Sequence, residues 1–263
     1  MNKKQWEVFE FFRNEYKKYC IEWNKMSADL RPLQIEAAKK DTPPYSLETS
    51  IVYNILYDEI TPEDRISLIV VGDNPGKEEQ LLINTKYLVG QSGRIAEGFF
   101  KRNPGFNIDF RKNVLITNKT PVHTAKTSHL KYLKKNGSKE VCDLLLVSQC
   151  KMAELTAGLH KGLNENREDE EPTVSLWLVG YSELKDKGIF LDYKQHLRNE
   201  YLSSDKENMI KDWSDVYVYQ HFSMNRFLID LNEHCGKTNV SFDVLKNNLQ
   251  ILGWKHRKEI FGC

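Results

Sequence analysis

Two glycines and a proline surround an acid and an amide in the segment Gly72-Asp73-Asn74-Pro75-Gly76. Glycine and proline favour a tight turn whose backbone can approach a ligand closely. Asp73 can activate or hold a water, or stabilise a developing cation, whereas Asn74 can position a water but is a poor base. The segment therefore fits the rim of a reactive site, and an ordinary turn is the alternative.

A second segment, YLVGQSGR at residues 87–94, joins a short apolar piece to a turn of small residues that opens a helix. The free N–H groups at a helix N-terminus suit a phosphate or a carbonyl oxygen. Tyr87 or Leu88 can then pack flat against a ligand. An ordinary connection between a strand and a helix is the alternative.

A third segment, Asn118-Lys119-Thr120-Pro121, directly follows an apolar run. The Asn118 side chain offers both a donor and an acceptor. That pair matches the O4 and N3–H edge of uracil and mismatches cytosine. An asparagine that only caps a turn is the alternative.

A fourth segment, HFSMNR at residues 221–226, follows the last apolar run. His221 can donate a hydrogen bond to the O2 of a base and stabilise negative charge as that base leaves. The stretch 224–227 offers apolar and cationic tips that can fill the gap left by a flipped base. A structural histidine is the alternative.

Short apolar runs and helical stretches alternate along the chain. Such runs are typical of buried parallel strands, so we predict an α/β fold with helices on both faces of a parallel sheet. Ligands bind at the carboxyl ends of such strands, and three of the four strand ends carry one of these segments. The predicted strands are residues 66–71, 114–117, 174–179 and 216–219, and the predicted helices are residues 4–26, 45–57, 91–102, 138–160, 193–203 and 241–251.

Length and cysteine content set the broad class of the protein. We predict a single domain over residues 1–263, with residues 1–60 as an N-terminal helical extension. The five cysteines include no C-x-x-C pair, so we expect neither a disulfide framework nor a zinc site. We therefore expect the protein to reside in a reducing cytosol. No apolar leader and no run of about 18 apolar residues occurs, so we expect a cytoplasmic protein without a membrane span.

Charge is unevenly distributed although the net charge is only +1. Residues 111–139 contain no Asp or Glu, while acidic residues concentrate in residues 165–171. A neutral protein with one strongly basic segment is typical of polyanion binding. A solvated, lysine-rich helix and loop is the alternative.

The ordered set of segments resembles the uracil-DNA glycosylase superfamily, over roughly residues 65–230. The spacing from Gly72 to Gly93 is similar to the bacterial G-E-A-P-G type, and the first turn is similar to the G-x-N-P-G of the mismatch-specific type. The resemblance implies a three-layer α/β/α fold around a central four-stranded parallel sheet. Many G-E-A-P-G enzymes carry a four-cysteine iron–sulfur cluster, but no matching spacing occurs here, so we expect no cofactor.

The resemblance also implies roles for individual residues. Asn74 matches a water-positioning asparagine, and Asp73 matches the acidic residue of the G-E-A-P-G type. Leu88 falls where the family has a phenylalanine stacked on uracil. Asn118 matches the asparagine that reads uracil, and His221 matches the histidine that contacts O2 and supports the leaving anion.

Our first hypothesis is an enzyme that hydrolyses the N-glycosidic bond of uracil, or of a related deaminated base, in DNA. The base flips into a pocket at the strand ends, and the basic segment grips phosphates. We expect a monomer that binds DNA, needs no metal and does not bind membranes. The predicted catalytic residues are Asp73, Asn74 and His221, the base-binding residues are Gly72, Tyr87, Leu88 and Asn118, and the DNA-binding residues are Gly90, Ser92, Arg94, Lys119, Lys126, Ser223, Met224, Asn225 and Arg226.

Two departures from the family pattern favour a second hypothesis. Leu88 replaces the stacking phenylalanine, and Phe222 stands where the family has a proline. The chain can therefore be a non-catalytic protein that binds a nucleic acid or a nucleobase on the same fold. A third hypothesis is a nucleotide-binding or esterase-like α/β protein, against which the absence of a G-x-S-x-G elbow and of a P-loop lysine motif argues.

Overall fold

A parallel β-sheet lies at the centre of the protein. The computed structural model describes residues 1–236 and 240–263, and within them four parallel strands pair in the order β2-β1-β3-β4. The predicted strands and the α/β class are confirmed. The strands are β1 Leu68–Gly72, β2 Val114–Asn118, β3 Ser175–Val179 and β4 Val216–Tyr219, and the helices are α1 Lys3–Trp23, α2 Ser27–Lys39, α3 Gln91–Arg102, α4 His129–Asn136, α5 Lys139–Glu165, α6 Leu191–Glu200, α7 Arg226–Cys235 and α8 Phe242–Phe261.

Both faces of the sheet are buried. Successive side chains of a strand point to opposite faces, so Ile69 and Val71 of β1 join one apolar cluster, whereas Leu68 and Val70 join another. The first cluster includes side chains of α1, α5 and α6, and the second includes side chains of α3, α7 and α8. This arrangement is compatible with three layers, and it leaves the carboxyl ends of the strands as an open edge.

Helix α1 begins with a capping box. The Asn2 side chain accepts from the Gln5 N–H, and the Gln5 side chain accepts from the Asn2 N–H. Phe9, Phe12 and Tyr16 follow at helical spacing and are buried in the same cluster as the first face of β1. The predicted first helix is confirmed, and its aromatic stripe covers the sheet.

No α-helix forms at residues 45–57, so the prediction of a helix there is wrong. Helix α2 occupies residues 27–39 instead, and only a short 3-10 turn forms at Ile55–Asp58. Ile51 forms an antiparallel bridge with Val122, and the Val52 N–H donates to the Pro121 carbonyl. The apolar residues in this stretch are buried against the loop after β2, so their spacing does not reflect a helix.

Two further helices, α4 and α7, have no counterpart among the predictions. Helix α4 spans eight residues and has no side-chain cap, so it carries little local signal. Helix α7 begins after Met224 and Asn225, which both have left-handed backbone conformations. None of the described helices is both long and apolar enough to cross a membrane.

His160 is a buried polar group inside the helical layer of α5. Its Nε2–H donates to the Val174 carbonyl, and its Nδ1 accepts from the Tyr201 hydroxyl, at 2.8 and 2.7 Å. Burial lowers the pKa of His160 to about 4. Because the unfolded chain binds a proton near pH 6.5, protonation favours unfolding, and stability from this residue is lost as the pH falls from about 6.5 to 4.

We therefore predict that His160→Gln flattens the acid side of the stability profile. The free energy of unfolding of the wild type should fall by roughly 3 kcal/mol more than that of the variant between about pH 6.5 and 4. The reason is that only the wild type takes up a proton at residue 160 when it unfolds in this pH range. Urea unfolding at a series of pH values measures this difference. His196→Gln, at an exposed position of α6, is the control and should follow the wild type. Parallel profiles for wild type and His160→Gln would contradict the prediction.

Candidate functional site

A cavity of about 490 Å³ opens at the carboxyl edge of the sheet. Every strand contributes to its lining: Asp73 and Asn74 follow β1, Asn118 ends β2, Gly180 follows β3 and His221 follows β4. The strand order reverses at β1, which has β2 on one side and β3 on the other. A ligand crevice is expected at such a switch point. The tertiary structure thus brings residues far apart in sequence to one pocket.

A buried ion pair lies beneath this pocket. Lys119 is fully buried, and its Nζ donates to Asp73 Oδ1 at 2.7 Å and to the Val179 carbonyl at 2.6 Å. A longer contact of 3.3 Å reaches the Gly72 carbonyl. Burial lowers the pKa of Lys119, and the carboxylate of Asp73 opposes that shift. The pair therefore joins the ends of β1, β2 and β3.

The prediction that Lys119 binds DNA is wrong. A fully buried ammonium that is already paired with Asp73 presents no surface to a backbone phosphate. The position of Lys119 directly after a strand gave no sign of this, because the acid that pairs with it lies 46 residues earlier in the chain.

Asn118 has an unpaired amide. The residue is 2 % exposed, and its Nδ2 has no hydrogen-bond partner among the described residues. Asn118 stands opposite Gly72 in the register of β1 and β2, and a Cβ atom at Gly72 would overlap Asn118 Oδ1. Gly72 therefore makes room for the amide, and Asn118 is one of the residues that line the pocket.

The first turn holds Asn74 in a defined orientation. Its Nδ2 donates to Thr124 Oγ1 at 2.8 Å and to the Val122 carbonyl at 3.3 Å. Since the amide nitrogen is committed to these acceptors, Asn74 Oδ1 remains to accept from a water or ligand. The Nδ1–H of buried His123 donates to the Pro75 carbonyl, and this hydrogen bond holds the turn in place. Burial lowers the pKa of His123 to about 4.

Leu88, and not Tyr87, lines the pocket. Tyr87 is fully buried, and its hydroxyl donates to the Val52 carbonyl at 2.5 Å and contacts the Tyr16 hydroxyl. The prediction that Tyr87 packs on a base is therefore corrected: its ring belongs to the core. Leu88 remains the apolar side chain available at that wall.

His221 carries its proton on Nε2 when neutral. Its Nδ1 accepts from the Ser223 N–H at 3.0 Å and lies 2.8 Å from Ser223 Oγ. Burial lowers the pKa of His221, which favours the neutral ring. A neutral imidazole with Nε2–H is a hydrogen-bond donor, and His221 lines the cavity.

The other predicted DNA-binding residues fall into two groups. One group lines the pocket and the other does not. Ser92, Lys126, Ser223, Met224 and Arg226 belong to the first, and Gly90, Arg94 and Asn225 to the second. Met224 is 78 % exposed, and Arg94 and Arg226 are also exposed. An apolar tip and several polar groups therefore border the mouth of the pocket.

The basic segment does not form one free cationic surface. Several of its side chains pair with acids from elsewhere: Lys126 with Asp41, Lys131 with Glu183, Lys134 with Asp192 and Arg111 with Glu97. These acids come from four other segments of the chain. The basic segment therefore has paired side chains in the folded protein, although it contains no acidic residue of its own.

Sequence reasoning missed Glu79. This residue is buried, lines the pocket, and accepts the Leu88 N–H at 2.8 Å and the Gly76 N–H at 3.0 Å. In the sequence KEEQ it resembles an ordinary solvated loop acid, and no local signal distinguishes it from Glu78. Gly180 was missed because no polar residue directly follows β3.

Comparisons of the chain with protein-family models, with curated proteins and with solved structures find no match. Among residues 1–236 and 240–263, no group of three or more His, Cys, Asp or Glu side chains lies close enough to hold a metal ion. A function for this site must therefore be inferred from its geometry alone. One pocket at the edge of the sheet is lined by an asparagine with an unpaired amide, an acid and a neutral histidine.

We predict that Lys119→Met strongly destabilises the fold. Removing the ammonium leaves the Asp73 carboxylate buried without its partner, which costs about 3–5 kcal/mol. Chemical denaturation measures the change in the free energy of unfolding. Lys112→Met, at an exposed position, is the matched control and should cost far less.

The double variant Asp73→Asn, Lys119→Met tests the cause. It removes both charges and should recover part of the stability that Lys119→Met loses. An unfolding midpoint of Lys119→Met equal to that of the control would contradict a structural ion pair.

Proposed function

We propose that this protein is a DNA glycosylase that hydrolyses the N-glycosidic bond of uracil or of a related deaminated base. The observation that carries the proposal is the buried, unpaired amide nitrogen of Asn118, a residue that lines the same pocket as Asn74 and His221. A buried amide donor without a partner is costly, and a ligand that supplies an acceptor removes that cost. The pocket thus suits a planar ligand with a polar edge.

Base reading falls to Asn118. Its Nδ2 donates to the O4 of uracil, and its Oδ1 accepts from N3–H. Cytosine presents an amino group and an unprotonated N3 at the same places, so both contacts would be lost. A site built to hydrogen-bond one edge rejects the wrong base strongly, because its buried groups are then unpaired.

The leaving base is supported by His221. As the C1′–N1 bond breaks, its electron pair passes to the base, and negative charge develops on O2. The Nε2–H of neutral His221 donates to that oxygen, and a donor placed where charge develops stabilises the transition state. The pKa of His221, lowered by burial, keeps this ring neutral at physiological pH.

The sugar cation is captured by water. Asn74 Oδ1 holds the water, whose oxygen bonds to C1′ while its proton is released to solvent or to the departing base. Because Asp73 Oδ1 accepts from Lys119, we assign Asp73 an electrostatic role, in which its carboxylate stabilises the oxocarbenium ion. In this proposal the exposed Met224 fills the gap left in the duplex, and Ser92, Lys126 and Arg226, which line the pocket, contact phosphates.

A second candidate function is a binding protein that recognises the base without cleaving it. The specific observation in its favour is the ion pair of Asp73 with Lys119, which commits Asp73 Oδ1 to the ammonium rather than to a water. Leu88 in place of an aromatic ring also weakens the grip on a flipped base. This candidate predicts salt-sensitive DNA binding and no abasic product.

The experiment is a cleavage assay with labelled oligonucleotides that each contain one uracil, hypoxanthine or xanthine, single-stranded or paired. Alkali reveals abasic sites as strand breaks. We expect product with the wild type, and a loss of about 100-fold or more in His221→Ala and in Asn118→Ala, since each removes one positioned hydrogen-bonding group.

Asn199→Ala, an exposed asparagine on α6, is the matched control and should keep wild-type activity. No strand breaks on any substrate, with DNA binding retained, would replace the glycosylase by the binding protein. Equal activity in Asn118→Ala and in the control would show that Asn118 does not read the base.

A further inference from the structure

The backbone of Leu88 is held in a conformation that non-glycine residues rarely adopt. Its φ is +52°, in the left-handed region. Its N–H donates to Glu79 Oε1 at 2.8 Å, and its carbonyl accepts from Arg111 Nη2 at 2.6 Å. A Cβ atom at Gly93 would overlap the Leu88 carbonyl. Strain of this kind persists only where surrounding groups enforce it, and here two ionic side chains enforce it from opposite ends of one residue.

Glu79 also holds a second loop. Its other oxygen, Oε2, accepts from the Gly76 N–H at 3.0 Å. Gly76 closes the turn that carries Asp73 and Asn74, and Gly76, Glu79 and Leu88 all line the cavity. One buried carboxylate therefore joins the wall that carries Leu88 to the turn that carries the water-positioning side chain.

We propose that Glu79 is a positioning residue whose ionised carboxylate holds the Asn74 turn and the Leu88 loop in register, and whose protonation releases one of them. The effect on the reaction rests on the proposed function, whereas the effect on the two loops does not. We assign Glu79 a positioning role because each of its carboxylate oxygens accepts from a backbone N–H group.

The number of acceptors explains why the ionised form is needed. Both groups that face the carboxylate oxygens, the N–H of Gly76 and that of Leu88, are donors. A carboxylate accepts from both, whereas a neutral carboxyl carries an O–H that points at a donor and weakens that bond. Protonation of Glu79 therefore frees either the turn or the loop.

Glu79 titrates in the physiological range. Burial raises its pKa to about 7, against the opposing effects of the two N–H groups and of Arg111. Arg111 and Tyr87 are the charged or titratable groups that face it among the described residues. Burial raises the pKa of Tyr87 well above its ordinary value, so that tyrosine stays neutral. Both loops are thus held above about pH 7, and one of them is released below it.

Other groups at the pocket also titrate or carry charge, so a pH profile of the wild type alone cannot assign the effect. They are Asp73, Lys126, Glu183, His221 and Arg226. The variant Glu79→Gln separates them, because glutamine has the same shape but only one acceptor oxygen. It should imitate the protonated state at every pH. The matched control is Glu78→Gln, which makes the same charge change at the exposed neighbouring residue.

The first measurement follows the two amides directly. Protein labelled with ¹⁵N-glycine and ¹⁵N-leucine is titrated between about pH 5.5 and 8.5. We expect the Gly76 and Leu88 amide shifts to titrate together with a midpoint near pH 7 in the wild type and in Glu78→Gln, and not to titrate in Glu79→Gln. Amide shifts that titrate unchanged in Glu79→Gln, or that do not titrate in the wild type, would overturn the proposal.

The second measurement joins this effect to the reaction. In the wild type, KM for the base-containing oligonucleotide should rise by about tenfold as the pH falls below 7, the equivalent of one hydrogen bond. In Glu79→Gln, KM should be raised at every pH and lack that inflection, while Glu78→Gln follows the wild type. A wild-type KM profile in Glu79→Gln would overturn the positioning role. If no oligonucleotide is cleaved, the glycosylase proposal fails, and the amide titration still decides the role of Glu79.

Discussion

The ion pair between Lys119 and Asp73 is the constraint on which the site depends. A charged group without water is costly, so Lys119 must be satisfied wherever the fold buries it. Its partners are the Asp73 carboxylate and the carbonyls of Gly72 and Val179, which end two other strands. The pair therefore fixes the spacing of three strand ends and the direction of the acid at the pocket. It also limits the chemistry of Asp73, because the Oδ1 atom that accepts from Lys119 is not free to hold a water.

Close backbone approach is the second condition of this architecture. Gly180 has a φ of +99°, and a Cβ atom there would overlap the Asp73 carboxylate. Gly72 makes the same allowance for Asn118. Polar side chains can be buried at the sheet edge only where the neighbouring strand end gives them room. These glycines are thus needed because they lack a side chain and leave space for the neighbouring polar groups, and not for backbone flexibility alone.

The distribution of charge on the folded surface differs from the distribution of charge along the sequence. The basic segment contains no acid of its own, yet the fold places Asp41, Glu183, Asp192 and Glu97 beside its side chains. The exposed pairs of Lys126 and Lys134 are screened and weak, so they leave these two cations available to a stronger polyanion. Fully buried Lys119 is different, because no phosphate can reach it.

The sequence by itself determined the four strands, most of the helices and the segments that line the pocket, because buried strands are apolar and a turn with glycine and proline is locally encoded. It also singled out Asn74, Asn118 and His221, whose side chains do line one cavity. Only the tertiary structure decided which neighbours face the pocket: Tyr87 lies in the core and Leu88 at the wall. It alone revealed the partner of Lys119 and the role of Glu79, since both depend on contacts between segments that no local pattern encodes.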